Sequence, residues 1–503
     1  MAADEQRRLR FAFGPAIDEQ DVSNVARTYL SAARIQEATD RQATHLAENR
    51  GILNIETPDP ALDHFVNHWL GRQILFHGDL NRLTTDPQTR NYLQDHMGMV
   101  YLRPSVSRRA FKFALSQQEA SGALPDGILL NTNAALKYIN QIPHTDHNVW
   151  LPICLQAFLA ETNDYDLLHE LCGFANSDEQ ASVYAHVDRA LRWLLQNRDH
   201  RGLLYIGQGD WCDPMNMAGH KGRGVSGWLT FAAAYACQVW ADICGKIDKP
   251  QAAKEFADAS AQLNTAANQH LWFDAWYARG ITDDDVPFGV PTDIEGRIFL
   301  NAQSWAMLSG AADASRQATL IRAVEDNLET PYGVAVLAPA FTTMREDIGR
   351  LTQKYPGTAE NGSIYNHAAA FYIFALFNAG HGESAYRLLK KMIPGSDETD
   401  LLQRGQLPVF IPNYYRGASH STMSGRSSQL INTGTIHWIY RSLTEQLFGL
   451  AGHPKGLIIN PQLPKSWSTA RVSRRFRNAT IDVRYTRSSD RKTRIEVDGQ
   501  PLD

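Results

Sequence analysis

A chain of 503 residues, 43% hydrophobic and 20% charged, is long enough to bury a large core and too apolar for disorder to be its default. Its 49 basic and 54 acidic residues leave a formal net charge of -5, which offers no broad positive field to nucleic acid. Five scattered cysteines without a CxxC pair exclude a disulfide framework, and no run of about 18 apolar residues or apolar leader occurs, so a cytoplasmic protein in a reducing compartment is expected. In chain order, residues 21–49 read as a long polar helix leading into the body. Amphipathic helical patterns follow at 61–75, 93–102, 107–118, 148–161, 182–197, 224–243, 252–272, 302–312, 316–328, 367–379, 383–393 and 435–450. From about residue 456 the pattern turns to alternating strand-like segments. Twelve helices joined as antiparallel neighbours predict a mainly α fold, an (α/α)6 barrel over 56–453, with a linker strand and helix at 1–55 and a short C-terminal β-domain at 454–503.

The densest chemistry lies in 207–228, GQGDWCDPMNMAGHKGRGVSGW, a Gly-rich stretch between helices with two carboxylates three apart and a Trp between them. Glycosidic cleavage needs a carboxylic acid that protonates the leaving oxygen, in a site walled by an aromatic ring. Asp213 or Asp210 supplies that acid and Trp211 the ring. Turn capping by the carboxylates and core filling by Trp211 explain the same residues, and a DxxD metal site is a third reading without a completing His or Cys set. His367 opens an apolar helix in TAENGSIYNHAAAF, where an imidazole beside free backbone N–H groups suits an anion, as well as an ordinary helix cap. The Thr-Gly-Thr turn of INTGTIHWIYR precedes another helix and offers N–H groups to phosphate, or simply starts a helix.

These segments, with TPDPALDHFVNHWLGRQ, RNYLQD, DHNVWLP, TPYGVAVLAP and LIINPQLPKSW in the same order, resemble the inverting β-glycoside phosphorylases of the glycoside hydrolase family 94 type. That family includes cellobiose, chitobiose and β-1,2-oligoglucan phosphorylases and the C-terminal domain of cyclic β-1,2-glucan synthases. The resemblance implies Asp213 as general acid and Trp211 as a sugar-binding aromatic. It implies Arg82, His367, Thr433 and Gly434 as phosphate ligands, Arg90 and Asp95 as donor-sugar ligands, and Glu360 of the ENG segment as a further substrate contact. Phosphate is then the nucleophile and co-substrate, no cofactor or metal is needed, and an α-sugar 1-phosphate leaves with a shortened acceptor. The expected partners are a β-linked oligosaccharide and inorganic phosphate, without nucleic acid or membrane, and with room for a homodimer.

Departures from the family pattern fall at Cys212, Pro214, Asn91 and His437, and the family's N-terminal β-sandwich is expected to be missing ahead of RLRFAFGPAIDEQ. Two other readings stand beside phosphorolysis. An inverting hydrolase or transglycosidase requires a second carboxylate about 6.5–9.5 Å from the acid to activate water, with Glu360 and Asp146 as candidates. A catalytically lapsed carbohydrate-binding module is the non-enzyme alternative.

Overall fold

The computed structural model describes residues 6, 9–13, 16–48, 52–80, 87–131, 144–429, 434–489, 494 and 496–501. The polar segment expected as one helix is two, α1 (Glu19–Tyr29) and α2 (Ala32–Glu48). There follow α3 (Pro60–Phe65), α4 (Gly71–Leu75), α5 (Thr89–Leu102), α6 (Pro104–Leu115), α7 (Trp150–Thr162) and α8 (Val183–Gln196). The series continues with α9 (Gly227–Lys246), α10 (Pro250–His270), α11 (Leu300–Leu308), α12 (Ala314–Asn327), α13 (Asn366–Asn378), α14 (Gly382–Met392), α15 (Glu398–Arg404) and α16 (Thr435–Arg441). Most of the expected helices are present within a few residues of their predicted ends, and the protein is mostly helical with small, open sheets. No described helix is long and apolar enough to cross a membrane.

Two kinds of helix alternate. In α8 the buried residues Val183, His186, Val187, Ala190, Leu191 and Leu194 form one stripe at helical spacing, and in α14 Ala385, Leu388, Leu389 and Met392 do the same. Helices α5, α7, α9, α11, α13 and α16 are instead buried on nearly every side. Such a helix is stable only when surrounded, and the packing supplies that: α5 lies on α7, α7 on α9, α9 on α11, α11 on α13, α13 on α16, and α16 returns to α5. The striped helices cover this closed cycle from outside, α6 on α5, α10 on α9 and α14 on α13. Large aromatics fill its middle, with Trp305 of α11 edge-on to Trp150 of α7 and Trp228 of α9, and Phe371 of α13 edge-on to Trp305 and to Trp438 of α16. For these tryptophans core filling is the role observed.

The two ends of the helical body meet in one sheet. Leu53–Glu56 pairs antiparallel with Thr469–Phe476, which pairs in turn with Ala479–Thr486. The central strand alternates, turning Ala470, Val472, Arg474 and Phe476 inward. Buried Arg474 is fastened to Glu161 at the end of α7. A hairpin of Leu450–His453 and Gly456–Ile459 runs across the expected 453/454 boundary.

Candidate active site

Long connections lead into the buried helices at one end of the cycle and carry the candidate residues. Arg90 stands in the first turn of α5, Asp146 just before α7, 210–213 in the loop ahead of α9, and His367 in the first turn of α13, while Gly434 caps α16. Several helix N-termini therefore face one region, and their unpaired N–H groups and dipoles favour negative charge there.

Asp213 is the carboxylate open to that region, with 25% of its side chain exposed. Buried Arg90 donates through Nη2 to Asp213 Oδ1, and Gln88 Nε2 donates to Oδ2 at 3.0 Å. His144 Nε2 faces Oδ1 at 3.4 Å. Burial alone would raise the Asp213 pKa; the Arg90 and His144 charges and the hydrogen bonds from Gln88 and Arg90 outweigh it and hold the carboxyl below its usual range. Arg90 is itself anchored from behind, donating through Nη1 to Asp146 Oδ1 at 2.7 Å and to the Asp210 carbonyl at 3.1 Å. Burial would lower its pKa, yet Asp146 and Asp213 raise it, so the guanidinium stays charged.

The structure separates the two loop carboxylates. Asp210 is fully buried and accepts two bonds from Arg279 Nη2 at 2.6 and 2.8 Å, one from Ser226 Oγ at 2.6 Å and one from the Cys212 amide at 2.9 Å. It braces the loop, so of the two proton donors allowed by sequence only Asp213 faces the site. Asp146 has the same fate as a water-activating base: it is fully buried, with Oδ1 on Arg90 and Oδ2 accepting from Trp150 Nε1 at 3.0 Å.

His367 and Gly434 converge on Gln94. Trp211 Nε1 can only donate, so the His367 Nδ1 that it meets at 3.1 Å accepts and the ring proton sits on Nε2, which meets Gln94 Oε1 at 2.9 Å. Trp438 Nε1 donates to the same Gln94 oxygen at 2.7 Å. A Cβ on Gly434 would lie 2.6 Å from Gln94 Cβ, so only glycine fits there. Trp211 also stands edge-on to Tyr365 at 5.2 Å. Glu360 pairs with Lys354, and Asn361 braces both by donating to the carbonyls of Phe341 at 2.9 Å and Lys354 at 2.7 Å. Asp95 is buried rather than open, with His437 Nε2 at 3.4 Å and His77 Nδ1 at 3.9 Å. Arg82 and Thr433 lie outside the described residues.

Sequence reading did not single out Gln88, Asp126 or His144. Gln88 sits two residues from Arg90, but nothing local marks the other two, because Asp126 meets His144 across a long connection. Asp126, His144 and His147 bring ligand-type atoms within 4.8 Å of one another. Asp126 Oδ1 lies only 2.6 Å from His144 Nδ1 and 2.7 Å from His147 Nε2. Those are hydrogen-bond distances, shorter than the roughly 3.3 Å separating two ligands of one tetrahedral ion with bonds of about 2.0–2.1 Å.

A family model decides the affiliation. The catalytic-domain model of the glycosyl hydrolase 94 superfamily matches residues 46–449. The chain belongs to that superfamily. It is 53% identical over 494 residues to a cellobionic acid phosphorylase of Neurospora crassa, covering 98% of this chain and 62% of that protein. It is 35% identical over 453 residues to a 3-O-β-D-glucopyranosyl-β-D-glucuronide phosphorylase of Paenibacillus borealis, covering 90% of this chain and 59% of the other. The chain thus spans about three fifths of the length of these relatives. A solved rhamnosidase of Bacillus sp. GL1 shares the fold at 13% identity with a TM-score of 0.61, over 87% of this chain and 40% of that one.

Proposed function

We propose that this chain carries out inverting phosphorolysis of a β-linked gluco-disaccharide or oligosaccharide, with Asp213 as general acid and phosphate as nucleophile. The observation that carries this reading is that one helix, α5, holds an accessible carboxylate, Asp213, on Arg90 and, one turn further along, receives His367 and Gly434 on Gln94. The alternating buried and striped helices are, in this proposal, an (α/α)6 barrel spanning 56–453 whose N-terminal mouth holds the site.

Phosphate held by His367, Gly434, Thr433 and Arg82 attacks the anomeric carbon from the face opposite the leaving sugar. The new C–O bond to phosphate forms as the glycosidic C–O bond breaks, and the Asp213 proton passes to the departing oxygen. Asp213 rests ionised against Arg90, so it takes up a proton as substrates assemble. Donor hydroxyls compete for Arg90, and the arriving dianion disfavours a second negative charge nearby, both raising the carboxyl's pKa. Because phosphate is already a nucleophile, no second carboxylate has to activate water, in keeping with the commitment of Asp146 to Arg90 and Trp150.

The substrate class follows from the two relatives, whose names each contain an acid sugar. Lys354, paired with Glu360, is the cation proposed to receive an acceptor carboxylate in exchange. Lys354→Met is expected to raise KM for an acidic disaccharide about tenfold or more, the worth of one charged hydrogen bond, and to leave KM for phosphate unchanged. An equal rise for the neutral disaccharide removes this assignment. The main test is incubation of the protein with β-linked glucose disaccharides, acidic and neutral, with and without phosphate. The expected products are α-glucose 1-phosphate and the free acceptor, formed only when phosphate is present. Equal cleavage in its absence would establish hydrolysis instead.

A further inference from the structure

Beside the acid lies a buried group that the mechanism above does not use. Asp126 Oδ1 accepts from both His144 Nδ1 and His147 Nε2, and the far nitrogen of His144 lies 3.4 Å from Asp213 Oδ1. The His144 side chain is fully buried and its Nε2 makes no hydrogen bond, so that Asp213 Oδ1, 3.4 Å away, meets it as an ion-pair contact. The loop bearing Asp213 is shaped to admit this ring: Gly209 has φ +140°, and a Cβ there would lie 2.8 Å from His144 Cδ2. The Gly209 carbonyl in turn accepts from the Thr145 amide at 3.1 Å, tying the acid's loop to the residue beside His144.

We propose that His144, oriented by Asp126, is a positioning residue for the general acid: with Arg90 it holds Asp213 Oδ1 through its charge and leaves Oδ2, which accepts from Gln88, as the oxygen that carries the transferred proton. The inference rests on the reading of Asp213 as the acid. A guanidinium hydrogen bond and a second cationic group close to one carboxylate oxygen keep that oxygen charged or carbonyl-like, so a proton adds to the other. Fixing which oxygen is protonated fixes where the proton points relative to the leaving group, and small errors in such geometry cost large factors in rate.

The charged groups around His144 are Asp126 and Asp213, which favour its cation, Arg90, which opposes it, and His147 on its own segment. Burial lowers the His144 pKa, but the hydrogen bond it donates to Asp126 and the Asp213 charge outweigh it and the net direction is upward. Asp126 is pushed up by burial and down further by its two histidines, so it stays ionised.

The test measures phosphorolysis and the reverse synthesis against pH in His144→Gln, Asp126→Asn, their double variant and His147→Gln. His144→Gln is expected to lower kcat about 10- to 100-fold with little change in KM. Phosphorolysis needs protonated Asp213, so its rate falls as pH rises through the acid's pKa. Removing a cation that depresses that pKa moves this alkaline limb up by about one unit. Synthesis needs ionised Asp213, and its acid limb moves up as well. Asp126→Asn should reproduce both effects and the double variant add little, since Asp126 acts through His144. His147→Gln shares Asp126 without reaching Asp213 and should lower thermal stability while leaving both limbs in place.

A second readout needs no turnover. The His144 imidazole, assigned by its disappearance in His144→Gln, should titrate at lower pH in Asp213→Asn than in the parent by NMR. An unshifted imidazole and unshifted limbs overturn the proposal. Should Asp213→Asn retain phosphorolysis while the imidazole shifts, the contact stands and it is the assignment of the acid that fails.

Discussion

Asp213→Asn is expected to lower kcat for phosphorolysis of the disaccharide by about 10²- to 10⁴-fold, the usual worth of a positioned general acid. KM for sugar and phosphate should change little, because proton donation is realised only as the glycosidic bond breaks. The fold should tolerate the change. Asp213 is partly exposed, the amide oxygen still accepts from Arg90, and Arg90 keeps Asp146 behind it. A substrate whose leaving group needs no proton separates this role from others: β-glucosyl fluoride, attacked by phosphate with departure of fluoride ion, should react with the variant at nearly the parent rate. A variant equally slow on both substrates has lost phosphate or donor binding, and Asp213 is then not the acid.

How much of this was legible in the sequence depended on whether the deciding contact was local. Helices with a single apolar stripe, such as α8 and α14, announce themselves by spacing alone. Helix α5 begins several residues before its predicted start at 93, because Thr89, Arg90 and Asn91 are polar and yet buried. That inversion is the mark of a site, where tertiary partners replace water. The π-helical turn at Ser442–Leu447 likewise ends α16 earlier than its apolar pattern suggests. In the loop, Asp210 and Asp213 are chemically equivalent as letters. What separates them are Arg279 and, at the far end of the same stretch, Ser226 on one side, and Arg90 and Gln88 from a distant segment on the other. Asp126 and His144 were invisible for the same reason. The ordered motifs carried the family, while the division of labour among its carboxylates needed coordinates.

Asp210→Ala is expected to destabilise the protein by about 3–5 kcal/mol, the cost of leaving one member of a buried ion pair without its partner. Arg279 is 2% exposed and finds its carboxylate partner in Asp210, which accepts twice from Nη2, while Nη1 donates to Ser226 Oγ at 3.1 Å. With the carboxylate gone, a guanidinium remains in the core beside an unsatisfied hydroxyl and the unpaired Cys212 amide. Denaturant unfolding monitored by tryptophan fluorescence should show the midpoint falling by far more than in Asp213→Asn. The paired change Asp210→Ala with Arg279→Met removes both charges and should recover part of the loss, since an apolar replacement avoids the stranded cation. Activity carries the complementary signature: the loop that Asp210 braces also holds Asp213, so Asp210→Ala should lower phosphorolysis of disaccharide and fluoride alike. If instead Asp210→Ala left stability intact and selectively slowed the substrate that needs a proton, the roles assigned to the two carboxylates would be exchanged.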